Sequence, residues 1–143
     1  MAGLLALSAW LLAGCSRPVA VVVPSSAPSA CAAVMATLPK TLDGLDERDT
    51  SPASTDVRAW GDPPVVVRCG VDRPADYDPT AGCAQVNRVG WYEQPATDGS
   101  ILTANWASPR VEVSLPGRYT PAAVLVAVSN AIAAQVEHPG CPD

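Results

Sequence analysis

The distribution of cysteines is the feature that most limits what this chain can fold into. Four of the five cysteines lie between residues 31 and 141, and the fifth directly follows an apolar run. An even number of cysteines in an exported chain is typical of a disulfide framework, and four cysteines allow three connectivities. We favour Cys69–Cys83, which would close a short loop between two predicted strands, and Cys31–Cys141, which would join the first predicted helix to the C-terminal tail.

The fifth cysteine ends the stretch Leu12-Ala13-Gly14-Cys15. The apolar run at residues 3–14 is shorter than the roughly 20 residues that a membrane-spanning helix requires. An apolar run that ends in small residues before a cysteine is typical of a lipoprotein signal peptide. We predict a signal peptide over residues 1–14 and an acylated Cys15 that anchors the protein to membrane lipid, on the extracytoplasmic face of the cell membrane. No Lys or Arg precedes the run, and the alternative is a generic secretory signal followed by an ordinary cysteine.

The composition after the predicted cleavage site indicates one modest domain, residues 30–143. About 129 residues remain after cleavage, too few for two ordinary domains. Residues 15–29 comprise the predicted lipidated cysteine and a Pro- and Ser-rich segment that predicts a flexible tether. The alternatives for its run Val19–Val23 are contact with the bilayer surface and an added edge strand. The net charge of −5 and the scattered basic residues argue against nucleic acid as a partner, and against electrostatic adsorption to anionic lipid.

The hydrophobic pattern predicts an α+β fold for this domain. Apolar residues recur at helical spacing after Ser29 and again after Thr120, which predicts an N-terminal and a C-terminal helix. Residues 40–56 are polar and turn-rich and predict a loop. The β-rich stretches that follow are residues 65–71, 85–93, 101–106 and 111–115. Because their connections are too short for crossover helices, we expect a four-stranded antiparallel sheet with both helices packed on one face.

One block of the sequence resembles a known family. The block WGDPPVVVRCGV, from Trp60 to Val71, is similar to the W-G-x-P-x-V-V-x-R-C-G-V signature of an uncharacterised actinobacterial family. Members of that family are small exported or membrane-anchored proteins with a domain of unknown function. The strand at Val111–Val113 and the helix start at Pro121 also suit it. The resemblance implies a location in the cell envelope and supplies no catalytic residues.

Four residues are candidates for a binding surface. Trp60 and Arg68 belong to the block just described and could frame a recognition surface beside the sheet, while Tyr92 and Trp106 lie on adjacent predicted strands. Aromatic and arginine side chains are common anchors of protein contacts. The alternative is architectural, with Trp60 at the edge of the core and with Trp91 and Trp106 in the layer under the C-terminal helix.

No pattern predicts catalysis, a cofactor or a metal. Zinc is disfavoured because the chain has no C-x-x-C pair and its only histidine is His138. Asp72, Asp76 and Asp78 crowd one loop but lack the spacing of an EF-hand calcium site. No serine or cysteine has a recognisable base, and the sequence has no glycine-rich phosphate loop. We therefore expect a protein without enzymatic activity.

These observations favour a cell-envelope lipoprotein that binds another envelope protein or a wall component through the exposed surface of its sheet. The alternative is a carrier of an apolar ligand, such as a lipid, between the sheet and the helices. The two hypotheses require different interiors, since a carrier needs an apolar cavity on the order of several hundred cubic ångströms.

Overall fold

The computed structural model describes residues 16–25, 27–137 and 139–142. The predicted signal peptide and the predicted lipidation site at Cys15 lie outside these residues. Within the described part of the chain, no helix combines the length and the apolarity needed to cross a membrane. The strands are β1 (Val19–Ala20), β2 (Thr41–Leu42), β3 (Leu45–Arg48), β4 (Thr50–Ser51), β5 (Val57–Trp60), β6 (Val65–Cys69), β7 (Ala84–Val86), β8 (Val89–Ala96), β9 (Gly99–Ala104) and β10 (Val111–Pro116), and the helices are α1 (Ala30–Thr37) and α2 (Pro121–Ala133).

Eight of these strands form one antiparallel sheet in the order β2-β3-β5-β6-β10-β9-β8-β7, and β1 and β4 form a separate parallel pair. The predicted four-stranded sheet is therefore wrong. Strands β6, β8, β9 and β10 correspond to the predicted stretches. The sheet continues past β6 through β5, β3 and β2, and past β8 through β7, so the fold is mostly β structure with two helices.

Two tight turns account for several of the additional strands. Asp43 and Gly44 have positive φ angles of 49° and 76° and join β2 to β3, in the segment predicted as a loop. Asp-Gly is a favoured pair at such a hairpin, because both central positions of a type I′ turn need positive φ. Asn87 and Arg88 have φ angles of 43° and 69°, and they divide the single strand predicted over residues 85–93 into β7 and β8.

The strand register divides the side chains between two faces of the sheet. Val67 of β6 lies opposite Val113 of β10, and both are covered by the helices, so we call their side the helix face. Successive strand residues point to opposite faces. Arg68, Glu112 and Thr103, one residue along in each strand, therefore lie on the opposite side, which we call the outer face.

Specific contacts hold both helices on the helix face. Cys31 of α1 forms a disulfide with Cys69 of β6, with the two Cα atoms 5.6 Å apart. Trp91 of β8 donates a hydrogen bond from Nε1 to Ser129 Oγ of α2 at 2.9 Å, and both residues are buried. The fully buried apolar side chains between sheet and helices include Val34, Val65, Val67, Val111, Val113, Val124, Val128 and Ile132. Burial of about eight such side chains supplies a large part of the driving force for folding.

The disulfides are Cys31–Cys69 and Cys83–Cys141. The prediction of two disulfides is confirmed, whereas both predicted pairings are wrong. The reason lies in the packing: α1 lies over β6, so Cys31 meets the end of that strand. The C-terminal tail instead returns to the β7–β8 hairpin, where the Gly90 backbone N–H donates to the Pro139 carbonyl oxygen at 2.8 Å.

Arg58 of β5 fixes the C-terminal end of α1. Its Nη1 donates to the carbonyl oxygens of Met35 and Leu38 at 2.9 and 2.7 Å, and its guanidinium lies 4.9 Å from the centre of the Trp60 ring. Its Nε donates to Glu47 Oε1 at 2.6 Å, and this hydrogen bond holds the pKa of the Glu47 carboxyl below its ordinary value. The last carbonyls of a helix lack partners within the helix, and here a side chain of the sheet supplies them.

Candidate functional site

The outer face carries a row of polar side chains on four adjacent strands. Glu112 of β10 lies opposite Arg68 of β6 on one side and opposite Thr103 of β9 on the other, and Tyr92 of β8 lies opposite Thr103. Adjacent strands are about 4.8 Å apart, so the row extends over about 14 Å. Arg68 and Tyr92, two of the predicted surface residues, therefore share one face.

An ion pair lies at one end of this row. Arg68 Nη2 and Nε both donate to Glu112 Oε1, at 2.7 and 3.1 Å. The two side chains are 25% and 13% exposed, so most of the pair is removed from water. Arg68 Nη1 also donates to the Val22 carbonyl oxygen at 3.2 Å. The same guanidinium thus joins the sheet to the N-terminal segment.

That N-terminal segment, residues 17–25 and 27–28, lies against the outer face, and we call it the strap. Near its start, Arg48 Nη2 donates to the Arg17 carbonyl oxygen at 2.6 Å, and β1 pairs with β4. Near its end, a Cβ atom at Gly70 would lie only 2.8 Å from Ala27 Cα, so the close approach of the two backbones requires glycine. In this segment, for which the sequence predicted a flexible tether, the structure contains the short strand β1, which pairs with β4 outside the main sheet.

A cleft of about 780 Å³ lies between the strap and the outer face. Its further walls come from residues 70–73, after β6, and residues 105–110, between β9 and β10. Its charged lining residues are Arg68, Arg73, Arg110, Asp72 and Glu112. Trp106, the third predicted surface residue, also lines it. The volume lies within the range of small-ligand sites.

Two buried side chains on the outer face have no hydrogen-bond partner among the residues that the structure describes. Asn105, which borders the cleft, is fully buried, and neither its Oδ1 nor its Nδ2 is paired. The same holds for the hydroxyl of Thr103. Leaving a buried polar group unpaired costs about 1–3 kcal/mol, and such groups are rare in folded proteins. Asn105, which also lines the cleft, is therefore the candidate for ligand contact.

Replacement of Thr103 by valine tests whether its unpaired hydroxyl lowers stability. Valine has nearly the same shape and a high β propensity, so Thr103→Val is expected to raise the free energy of unfolding by about 1 kcal/mol in urea denaturation. Thr50→Val is the matched control, because the Thr50 hydroxyl donates to the Pro52 carbonyl oxygen at 3.2 Å. The control should show no gain. A loss of stability in Thr103→Val would show that the hydroxyl is paired in solution.

The loop between β6 and β7 covers the far end of the polar row. Tyr77 packs edge-to-face against Tyr92 and against Trp106, with ring centroids 5.1 and 6.3 Å apart. Tyr92 is consequently only 7% exposed. The Arg73 guanidinium lies 5.0 Å from the centre of the Tyr77 ring. Because Arg73 and Trp106 also line the cleft, this aromatic cluster forms its wall on that side.

Trp60 does not belong to this surface. It is fully buried on the helix face, where its Nε1 donates to the Pro39 carbonyl oxygen at 3.2 Å. The architectural alternative therefore describes its position. Of the four residues predicted as a binding surface, Arg68, Tyr92 and Trp106 remain associated with the outer face.

Two of the three carboxylates of the acidic loop considered for a cation, those of Asp76 and Asp78, are engaged within the protein. Asp76 Oδ1 accepts a hydrogen bond from Gln94 Nε2 at 2.6 Å. Asp78 accepts one from the hydroxyl of Thr80, and this hydrogen bond lowers the pKa of the Asp78 carboxyl. Across the described ranges, no group of three or more His, Cys, Asp or Glu side chains is placed to hold a metal ion.

Sequence analysis missed Asn105, although a signal for it existed. Thr103 and Asn105 alternate with Leu102 and Ala104, so two polar residues occur at the two-residue spacing of one strand face. The burial of these polar residues depends on the strap and on the β6–β7 loop. Neither of these two segments has a hydrophobic periodicity from which its packing against the sheet could have been predicted.

A match to a sequence family covers almost the whole chain. The profile of the family described as "Protein of unknown function (DUF3515)" matches residues 3–140. The chain belongs to this family. The resemblance to an uncharacterised family with a domain of unknown function is thereby confirmed, and the described residues of the cleft lie within the matched DUF3515 region. Searches of curated proteins and of solved structures gave no match.

Proposed function

We propose that this DUF3515 protein is a non-catalytic lipoprotein of the cell envelope, which binds another envelope protein or a wall component through the cleft on its outer face. A lipid on Cys15 would hold it on the extracytoplasmic side of the cell membrane. The observation that carries the proposal is the fully buried, unpaired amide of Asn105 at the border of a charged cleft. A ligand that completes those hydrogen bonds gains free energy that the unliganded protein lacks.

The cysteine pairing supports an exported location. Disulfides persist in oxidising compartments and are rare in the cytosol. One disulfide joins α1 to the sheet, and the other joins the C-terminal tail to the start of the β7–β8 hairpin. A domain with two such bonds is suited to folding after export, which agrees with a signal peptide that ends before Cys15.

We also propose that the chain belongs to an actinobacterial group within this family, which is marked by the block from Trp60 to Val71. Within the block, Trp60, Val65 and Cys69 are fully buried in the core on the helix face. Arg68 reaches the outer face and lines the cleft together with Gly70 and Val71. We therefore assign the block a mainly architectural role, with Arg68 as its contribution to binding.

The alternative function, carriage of an apolar ligand between sheet and helices, has less support. Val67, Val113 and Val128 are fully buried there and belong to one continuous cluster. A cavity of about 840 Å³ lies at the rim of this region, beside the end of α2, but its lining includes Arg88 and Glu137. An apolar ligand is best held by a mainly apolar lining. The cleft on the outer face is thus the better candidate site.

Site-specific photo-crosslinking in the native host tests the proposal. A photoreactive residue at Ser108, which is exposed and lines the cleft, should yield a covalent adduct with an envelope component. The same residue at Val126, 41% exposed on α2, is the matched control and should yield none. Digestion of the adduct with protease or with a wall hydrolase distinguishes a protein from a wall component.

Detergent phase partition of the same cells tests the anchor. The native protein should enter the detergent phase, and Cys15→Ser should move it to the aqueous phase, because the acyl chains supply the membrane affinity.

Equal crosslinked adducts at Ser108 and Val126, or no adduct at Ser108, would reject the role of the cleft. A native protein in the aqueous phase would reject the lipoprotein.

A further inference from the structure

We propose that the ligand of this cleft is a peptide with a free carboxylate, bound through an amide–amide contact at Asn105 and a carboxylate–guanidinium contact at Arg110. This proposal deepens the proposed function, on which it rests, because it names the chemical class of the envelope component. The charge of the cleft, the chemistry of the Asn105 amide and the relative positions of the two groups each support it.

The charge of the cleft favours an anion. Three arginines and two acids line it, so it carries an excess of one positive charge, whereas the whole chain has a net charge of −5. Arg68 is paired with Glu112. Within the described residues, Arg73 and Arg110 form no ion pair: Arg73 lies over the Tyr77 ring, and Arg110 uses only its Nε, which donates to the Asn105 carbonyl oxygen. Guanidinium binds carboxylates through two parallel hydrogen bonds.

The chemistry of the Asn105 amide distinguishes a peptide from other anions. Both Nδ2, a donor, and Oδ1, an acceptor, lack partners among the described residues. A peptide group satisfies both at once, because its carbonyl accepts while its N–H donates. Sulfate only accepts, so it would leave Oδ1 unpaired. A neutral sugar would satisfy the amide and leave the free guanidinium groups without an anion.

The Arg110 guanidinium lies beside the backbone of Asn105. Arg110 Nε donates to the backbone carbonyl oxygen of Asn105 at 3.1 Å, which holds the guanidinium next to that residue. A ligand that reaches both therefore has its carboxylate close to an amide, as the C-terminal residue of a peptide does. The Trp106 indole, which lines the same cleft, offers an apolar surface to the side chain of such a residue.

Entry of the ligand requires movement of a wall, because the Asn105 amide is fully buried. The strap is the wall suited to move. Between Val22 and Ala27, the hydrogen bond that joins its described residues to the sheet is the one from Arg68 to the Val22 carbonyl oxygen. A segment with few such bonds opens at a low free energy. Binding should therefore be slower than diffusion would allow.

Nuclear magnetic resonance of the full chain in detergent micelles provides the test. The isotope-labelled protein is titrated with N-acetyl-alanyl-alanine, with the same dipeptide amidated at its C-terminus, and with inorganic sulfate. The free acid should shift the Asn105 side-chain amide resonances in a saturable manner. The amidated peptide should bind about tenfold more weakly or worse, because it lacks the charge-assisted contact. Sulfate should leave the amide resonances unshifted.

Variants locate the contact. Arg110→Gln should weaken binding of the free acid by about tenfold or more, and Asn105→Ala should do the same. Arg118→Gln is the control, because Arg118 lies over a tyrosine ring as Arg73 does but lines a different cavity. It should change the affinity by less than about twofold. Circular dichroism establishes that each variant is folded.

Several outcomes would overturn the peptide proposal. These are equal affinity for the acid and the amide, no saturable shift with either peptide, a shift with sulfate alone, or unchanged binding by folded Arg110→Gln and Asn105→Ala. If crosslinking at Ser108 still captures an envelope component, the function stands and only the ligand class is lost. If the peptide binds while the protein partitions into the aqueous phase, the proposed ligand class stands and the proposed lipid anchor is rejected.

Discussion

Replacement of Cys31 and Cys69 by alanine is expected to lower the free energy of unfolding by about 4 kcal/mol. The bond closes a segment with a sequence separation of 38 residues, and the chain-entropy model assigns a stabilisation of that size to such a loop. It also fastens α1 to the sheet. Since domains are stable by only about 5–15 kcal/mol, a loss of this size removes about a quarter or more of the total stability. Chemical denaturation of the oxidised protein and of the variant measures the difference.

The second disulfide provides an internal comparison. Cys31 and Cys69 are fully buried, whereas Cys83 and Cys141 are half-buried. Thiol–disulfide exchange requires access to a sulfur atom. A mild reductant under native conditions should therefore open Cys83–Cys141 first, as read by alkylation and peptide mapping. Equal rates of reduction at the two bonds would show that α1 does not shield the Cys31–Cys69 disulfide from the reductant.

Replacement of Arg58 by alanine is expected to lower the free energy of unfolding by about 2–4 kcal/mol. Its Nη1 bonds to Met35 and Leu38 complete the end of α1, and its side chain is 17% exposed, so water replaces these contacts poorly. Arg58→Lys keeps the charge but lacks the planar fork, and it should recover only part of the loss. Thermal and urea denaturation measure both variants. Arg118→Ala, an arginine on the surface, should be nearly neutral.

The ion pair between Arg58 and Glu47 makes part of the stability depend on pH. The folded pKa of Glu47 is lowered, so its contribution to stability is present above the unfolded pKa and is lost as the pH falls through the folded pKa. Its side chain is 35% exposed, which limits that contribution to less than about 1 kcal/mol. Glu47→Gln should therefore be slightly less stable than the native protein at pH 7. The difference should vanish in acid, and a constant difference would contradict the ion pair.

The sequence predicted those parts of the fold whose hydrophobic period is complete. Val111, Val113 and Leu115 alternate with polar residues, and they form β10 in the centre of the sheet. The apolar stripe after Thr120 forms α2. Strand β3, which reads LDER, has one apolar residue, and its pairing depends on the turn at Asp43-Gly44 rather than on its own pattern. The sheet was underestimated because short polar strands resemble loops.

The candidate site was predictable only in part. Arg68 and Tyr92 could be predicted as surface contacts because arginine and aromatic residues are common in binding surfaces. Asn105 could not be predicted from its residue type, since its significance comes from burial without a hydrogen-bond partner. Burial is a property of the assembled fold. Disulfide pairing has the same dependence. Nothing in the spacing of Cys31 and Cys69 shows that α1 lies over β6.

The strap also determines how the domain would be oriented at a bilayer. A single residue, Ser16, separates Cys15 from Arg17, whose carbonyl oxygen accepts the hydrogen bond from Arg48. Two residues of extended chain span about 7 Å. An acylated Cys15 would thus keep the β3 side of the domain within a short distance of the lipid headgroups. The height of the cleft above the bilayer would then be limited by the size of the domain itself, so its ligand would have to be reached close to the membrane.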